Sequence, residues 1–132
     1  MASLSRANDR YEIIVHVFEY WDDDFTAPLK RVIDPPMPVN VNLGIAIPPQ
    51  GAFRRDVVSM RVKSSGLDCT AVVPGLLYAW AQTTDGSWIG LVAFAIPARN
   101  GRGRVETRQW TIARALSRRS APDRRPQQPR RV

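Results

Sequence analysis

A chain of 132 residues suits one domain with a tail, and an apolar fraction of 44% supports a modest core. A single cysteine, Cys69, excludes an intramolecular disulfide, and the longest apolar run, Trp88 to Ala98, is too short for a membrane-crossing helix, which needs about 20 residues. The net charge of +7 is unevenly spread: residues 1–98 carry eight basic and ten acidic groups, a net of −2, while residues 99–132 carry eleven arginines against Glu106 and Asp123, a net of +9.

Residues 1–10 are polar and expected to be flexible. "YEIIVHVFEY", 11–20, is β-branched and aromatic and reads as a strand. Residues 21–37, with four aspartates and three prolines, read as a long loop. "VNVNLGIAI", 39–47, alternates with period two, Val39, Val41, Leu43, Ile45 and Ile47 taking one face, and predicts a strand ended by "PPQG". "DVVSMRVK", 56–63, predicts another, "SSGLD" a turn, and "CTAVV" a short strand closed by Pro74-Gly75. In "GLLYAWAQTTDGSWIGLVAFAI" the Asp85-Gly86 pair between two apolar runs predicts a hairpin. A two-residue turn there pairs Gln82 with Ile89, Trp80 with Leu91 and Tyr78 with Ala93, which sets Tyr78 and Trp80 on one face and Trp88 on the other. Both faces are largely apolar, so the hairpin is expected to be central and covered on both sides. "ARNGRG" reads as a loop, "RVETRQW", 104–110, as a strand, and "TIARAL" as a single 3₁₀ or α turn. From Ser117 onward almost no apolar content remains, which predicts disorder. The expected organisation is a flexible 1–10, a β domain over 11–116, and a disordered basic tail over 117–132.

The stretch Leu76 to Leu116 resembles part of an SH3-like small barrel: two long strands meet at a tight turn with Trp88 just after it, a shorter strand ends in Trp110, and "TIARAL" makes a brief turn to the end of the fold. It also resembles short uncharacterised proteins of high-GC bacteria, where a pattern like "LYAW…DG.W.GLV" precedes a Trp and an "ARAL"-like ending. The resemblance implies a mostly β fold, a single small barrel or strongly bent antiparallel sheet. The sequence departs from peptide-binding SH3 domains: it lacks an "ALYDY" opening, and Thr111-Ile112-Ala113 stands where a proline-bearing turn belongs.

Candidate chemistry is sparse. Asp22, Asp23 and Asp24 read as a solvated loop, or as a site for a basic partner. They do not fit a calcium loop, because Ala27 stands where Gly is needed and Ile33 where the bidentate Glu belongs. His16 and Cys69 supply only two nitrogen or sulfur ligands, so no metal or cofactor is expected. Cys69 with His16, oriented by Asp68 or Asp34, is the only triad on offer, and Cys69 reads more simply as a small core hydrophobe. No catalytic set converges. Tyr78 and Trp80 form a candidate ligand platform, since such rings stack bases or grip prolines.

The arginines point outward. Arg102, Arg104, Arg108, Arg114, Arg118, Arg119, Arg124, Arg125, Arg130 and Arg131 are candidate phosphate contacts, and a chain rich in them can track a nucleic-acid backbone. Seventeen of the nineteen basic residues are arginine, a bias that a GC-rich coding sequence also produces. The expected function is non-catalytic binding of DNA or RNA without sequence preference. The alternatives are a protein-interaction module acting through the β domain, and an enzyme. Absence of a signal sequence pattern at the start and a lone cysteine lead to a cytoplasmic expectation, with no membrane partner.

Overall fold

The computed structural model describes residues 17–21, 28–49 and 58–119. Five antiparallel strands form one sheet: β1 (Lys30–Asn42), β2 (Val72–Gln82), β3 (Trp88–Pro97), β4 (Arg104–Ile112) and β5 (Leu116–Arg118), in the spatial order β4-β3-β2-β1-β5. A 3₁₀ turn, Ala113–Ala115, lies between β4 and β5 and carries the chain from one edge of the sheet to the other. The result is a mostly β fold, a single bent antiparallel sheet forming a half-barrel, which is the fold class expected.

The inner face holds the core. Val39 and Val41 of β1, Val73 and Leu77 of β2, and Val92, Phe94 and Ile96 of β3 are buried together, with Leu43 closing one end and Leu116 packed against the group. Full burial of one such side chain is worth about 1.5–3 kcal/mol. Glycine at position 75 permits close layering, because a Cβ there would lie 3.0 Å from the Ala93 carbonyl oxygen and from methyls of Val41 and Val92.

The outer face is covered only in part. Ala79 is 0% exposed, and above the same face Phe18 lies 6.2 Å from Trp110, which shares that face with Ala79 and Leu91. Lys30 locks the segment 17–21 down, its Nζ donating to the Trp21 carbonyl and lying 5.8 Å from the Phe18 ring. The hairpin is central, as expected, but it is covered on both sides only around Ala79; Val72, Pro74 and Leu76 leave the rest of the outer face of β2 exposed.

Several local expectations are corrected. Residues 17–20 form a turn, not the end of a strand, and the rest of 11–20 lies outside the described residues. The expected loop over 21–37 contains the first half of β1, which begins at Lys30. Its prolines are tolerated because β5 pairs only with Val39–Val41, so that among the described residues the earlier part of β1 has no partner on that side calling for donors. The ladder to β2 slips between Val32 and Met37, around a cis Asp34-Pro35 peptide.

The strand expected over 39–47 stops at Asn42, whose side chain accepts the Gly44 N–H at 3.1 Å and caps a short helix, α1 (Leu43–Ala46). Of the strand expected over 56–63, residues 56–57 lie outside the described residues, and the last four belong instead to a helix, α2 (Met60–Ser65), capped by the Ser59 hydroxyl accepting from the Val62 N–H. N-cap chemistry decides both cases, since alternation over a few residues does not separate a strand from one helical turn. Pro74-Gly75 does not close a strand; β2 runs straight through it, because pairing with β3 begins only at Gly75 and Pro74 has no donor to supply there. Finally, Ser117 and Arg118 belong to β5, so the ordered domain extends past Leu116.

Candidate functional site

The hairpin between β2 and β3 decides where the aromatic side chains point. Its turn contains three residues, Thr84, Asp85 and Gly86, with Gly86 at φ +87° and Thr83 N–H donating to the Ser87 carbonyl at 2.8 Å. The Asp85 carboxylate accepts from the Thr83 hydroxyl at 2.5 Å and from the Ser87 N–H at 2.9 Å. These bonds, the Thr83 hydroxyl first, hold its pKa down to about 2.

A three-residue turn shifts the register by one from the two-residue expectation. Gln82 pairs with Trp88, Ala81 with Ile89, Trp80 with Gly90 and Ala79 with Leu91. One step of register exchanges the faces, so Trp80 and Trp88 share the inner face that the two-residue turn denies them. A second irregularity follows at Tyr78, which has no partner in either ladder. Such a bulge re-aims the neighbouring side chains: Leu77 and Trp80 both face inward, and Tyr78, 8% exposed, is buried. The candidate platform of Tyr78 and Trp80 is therefore divided, with Trp80 open to a ligand and Tyr78 not.

Trp80 finds its place through its neighbours. It is the cross-strand partner of Arg31 on β1 and of Gly90 on β3, and its Cζ3 leans over Gly90, where a Cβ would come within 3.2 Å. Arg31, Trp80, Trp88 and Ala113 line a recess of about 330 Å³ at the hairpin end of the half-barrel. Its walls are two half-buried indoles, and Arg31, exposed, stands at its opening. No described carboxylate forms an ion pair with Arg31. Arg31 and Ala113 carry no sequence signal for this position, because β1 is masked by its prolines and Ala113 is an ordinary apolar residue. The sign of Trp88 was available only through turn length.

The arginines lie outside this recess. Arg102 sits in the β3–β4 loop, Arg104 and Arg108 on β4, Arg114 in the 3₁₀ turn, and Arg118 and Arg119 at and just beyond β5, all exposed. Arg104 pairs with Glu106 at 3.5 Å, an exposed contact worth about 0–1 kcal/mol. Arg102, Arg108, Arg114, Arg118 and Arg119 pair with no described carboxylate. Because β4 and β5 are opposite edges of the sheet, these residues do not form one compact cluster but a positive border along both edges and the turn joining them. Arg124, Arg125, Arg130 and Arg131, the run Asp22–Asp24, and His16 lie outside the described residues.

Cys69 is half-buried against the core, in keeping with its reading as a small hydrophobe. The Asp68 carboxylate accepts from the Thr70 hydroxyl and N–H, at 2.5 and 2.9 Å, which lowers its pKa; the charge of Arg99 adds less. It is engaged in its own turn. Among the described residues no three His, Cys, Asp or Glu side chains gather where a metal would bind, and no helix is long and apolar enough to cross a membrane. No family model, curated protein or solved structure matches the chain.

Proposed function

We propose that this chain is a non-catalytic nucleic-acid-binding protein of low sequence preference, its affinity carried by the arginine-rich stretch from Arg99 onward. The observation that supports this is the charge of the described part of that stretch: residues 99–119 hold seven arginines against one acid, Glu106, a net of +6, with a single ion pair to a described carboxylate. Guanidinium groups that are exposed and free of carboxylates are available to phosphates, and contacts of that kind fix affinity without reading sequence. A lone, half-buried cysteine fits a reducing cytoplasm as the place of action.

The test is binding of the full chain to labelled DNA across a salt series. With about five to seven phosphates neutralised, log K falls against log salt with a slope of roughly −4 to −6 on duplex. Replacing Arg118, Arg119, Arg124 and Arg125 by Ala should weaken binding to all sequences alike and flatten that slope by roughly 3–4. No binding to single- or double-stranded probes at about 50 mM salt, where phosphate contacts are strong, overturns the reading.

A second reading, a protein-interaction module, is favoured by one observation. Val72, Pro74 and Leu76 alternate along β2 and are exposed on its outer face. Failure of the salt series would leave that face as the site to probe.

A further inference from the structure

We infer that the recess between Trp80 and Trp88 takes one unpaired nucleobase of a single strand, with Arg31 holding the adjoining phosphate; this rests on the nucleic-acid reading and adds to it a preference for single strands.

Three features of the recess point to that occupant. The first is shape. Two indoles supply flat π surfaces, and the remaining wall, Ala113, carries only a methyl group. The second is size. A volume of about 330 Å³ is at the lower end of ligand pockets, about 300–1,000 Å³, and suits one ring system better than an extended peptide. The third is charge. The rim residue Arg31 pairs with no described carboxylate, and Arg114, also without such a partner, directly follows Ala113 of the lining. An apolar recess with one cation, Arg31, in its lining complements a planar group attached to an anion, and a nucleotide in a strand has that composition. Stacking on aromatic side chains is sequence-tolerant, because every base has a π face.

Preference between strands follows from the same geometry. A base in a duplex reaches such a slot only after leaving its stack, at a cost of unpairing and unstacking. A single strand offers its bases without that cost. The arginines along the edges would serve both kinds of strand, whereas the recess would serve one.

The experiment uses the full chain, a ten-nucleotide oligothymidylate, a duplex of the same length, and an oligoproline peptide, with indole fluorescence and anisotropy as readouts. Saturable quenching by oligothymidylate is expected, with tighter binding than to duplex. Trp88→Ala should weaken single-strand binding by about 5- to 150-fold, the range for loss of one stacked base, while leaving duplex affinity and its salt slope unchanged. Arg31→Ala should weaken single-strand binding and take about one unit from its salt slope. Trp88 is the better probe than Trp80, since it begins β3 beside the turn whereas Trp80 packs against the core, and a thermal melt of Trp88→Ala confirms that the fold persists. Unchanged single-strand affinity in Trp88→Ala overturns the recess as a base site and leaves the arginine reading standing. Absence of binding by the unmodified chain to either nucleic acid overturns both. Quenching by oligoproline that is lost in Trp88→Ala, without quenching by oligothymidylate, assigns the recess to a peptide and overturns the inference.

Discussion

Gly90→Ala tests the packing that places Trp80. A Cβ at this position would stand 2.7 Å from Cδ1 of Leu77, 3.0 Å from Cδ1 of Leu116 and 3.2 Å from Cζ3 of Trp80. Leu77 is 1% exposed at the centre of the core and has little room to turn aside. The added methyl therefore overpacks the inner face, at about 1–3 kcal/mol. Against this, replacing glycine restricts the unfolded chain and recovers about 0.4–1 kcal/mol. Mid-range values leave a net destabilisation of about 1.3 kcal/mol. At about 4–8 °C per kcal/mol for a domain near 100 residues, Tm falls by roughly 5–10 °C. Circular dichroism melts measure it. The cause is isolated with Leu77→Val, which removes the carbon nearest the new methyl and by itself costs about 0.8 kcal/mol for the lost methylene. In that background Gly90→Ala should cost clearly less. An equal loss of Tm in both backgrounds, or no loss from Gly90→Ala alone, refutes the clash with Leu77.

The turn supplies two more predictions. Gly86→Val should destabilise by about 1–2 kcal/mol through backbone conformation alone, since its φ is +87° and a Cβ there meets nothing within 4 Å; Gly86→Asn, which tolerates positive φ, should melt measurably higher than the valine variant. Asp85 has a folded pKa of about 2 against an ordinary 3.8, so its contribution is present above pH 3.8 and is lost as pH falls through 2. The Tm gap between the unmodified chain and Asp85→Ala should therefore narrow as pH is lowered from 5 to 2, and a constant gap over that range would show that the carboxylate's charge does not hold the turn.

The hairpin was legible because Asp85-Gly86 and two apolar runs are unambiguous about where the chain reverses. Its register was not, because two- and three-residue turns both accept that dipeptide, and the difference of one residue decides whether Trp88 joins Trp80. The brief 3₁₀ turn at Ala113–Ala115 and the strand before it were also readable. β1 was hidden by a rule applied too widely: proline excludes a residue from a ladder only on the side where its missing N–H is needed, and the first half of β1 has no neighbour on one side among the described residues. Asn42 and Ser59 carried the cap signals for α1 and α2, but short apolar alternation around them read as strand. The recess draws on β1, β2, β3 and the 3₁₀ turn, so the missed start of β1 hid Arg31 and the misjudged register set Trp88 apart from Trp80.

The pairing of β1 with β5 has a consequence for synthesis on the ribosome. Val41 and its partner Leu116 are about 75 residues apart in the chain. At about 5–20 residues per second, the nascent β1 waits roughly 4 to 15 s before the strand that covers Val39–Val41 has been made. Through that interval the strand presents a bare edge, the kind that recruits strands from other chains. Pro35, Pro36 and Pro38 lie on or beside that edge and lack the N–H groups a foreign strand would need. The same prolines that disguise β1 as a loop are thus suited to guarding it against misassembly until Leu116–Arg118 arrives.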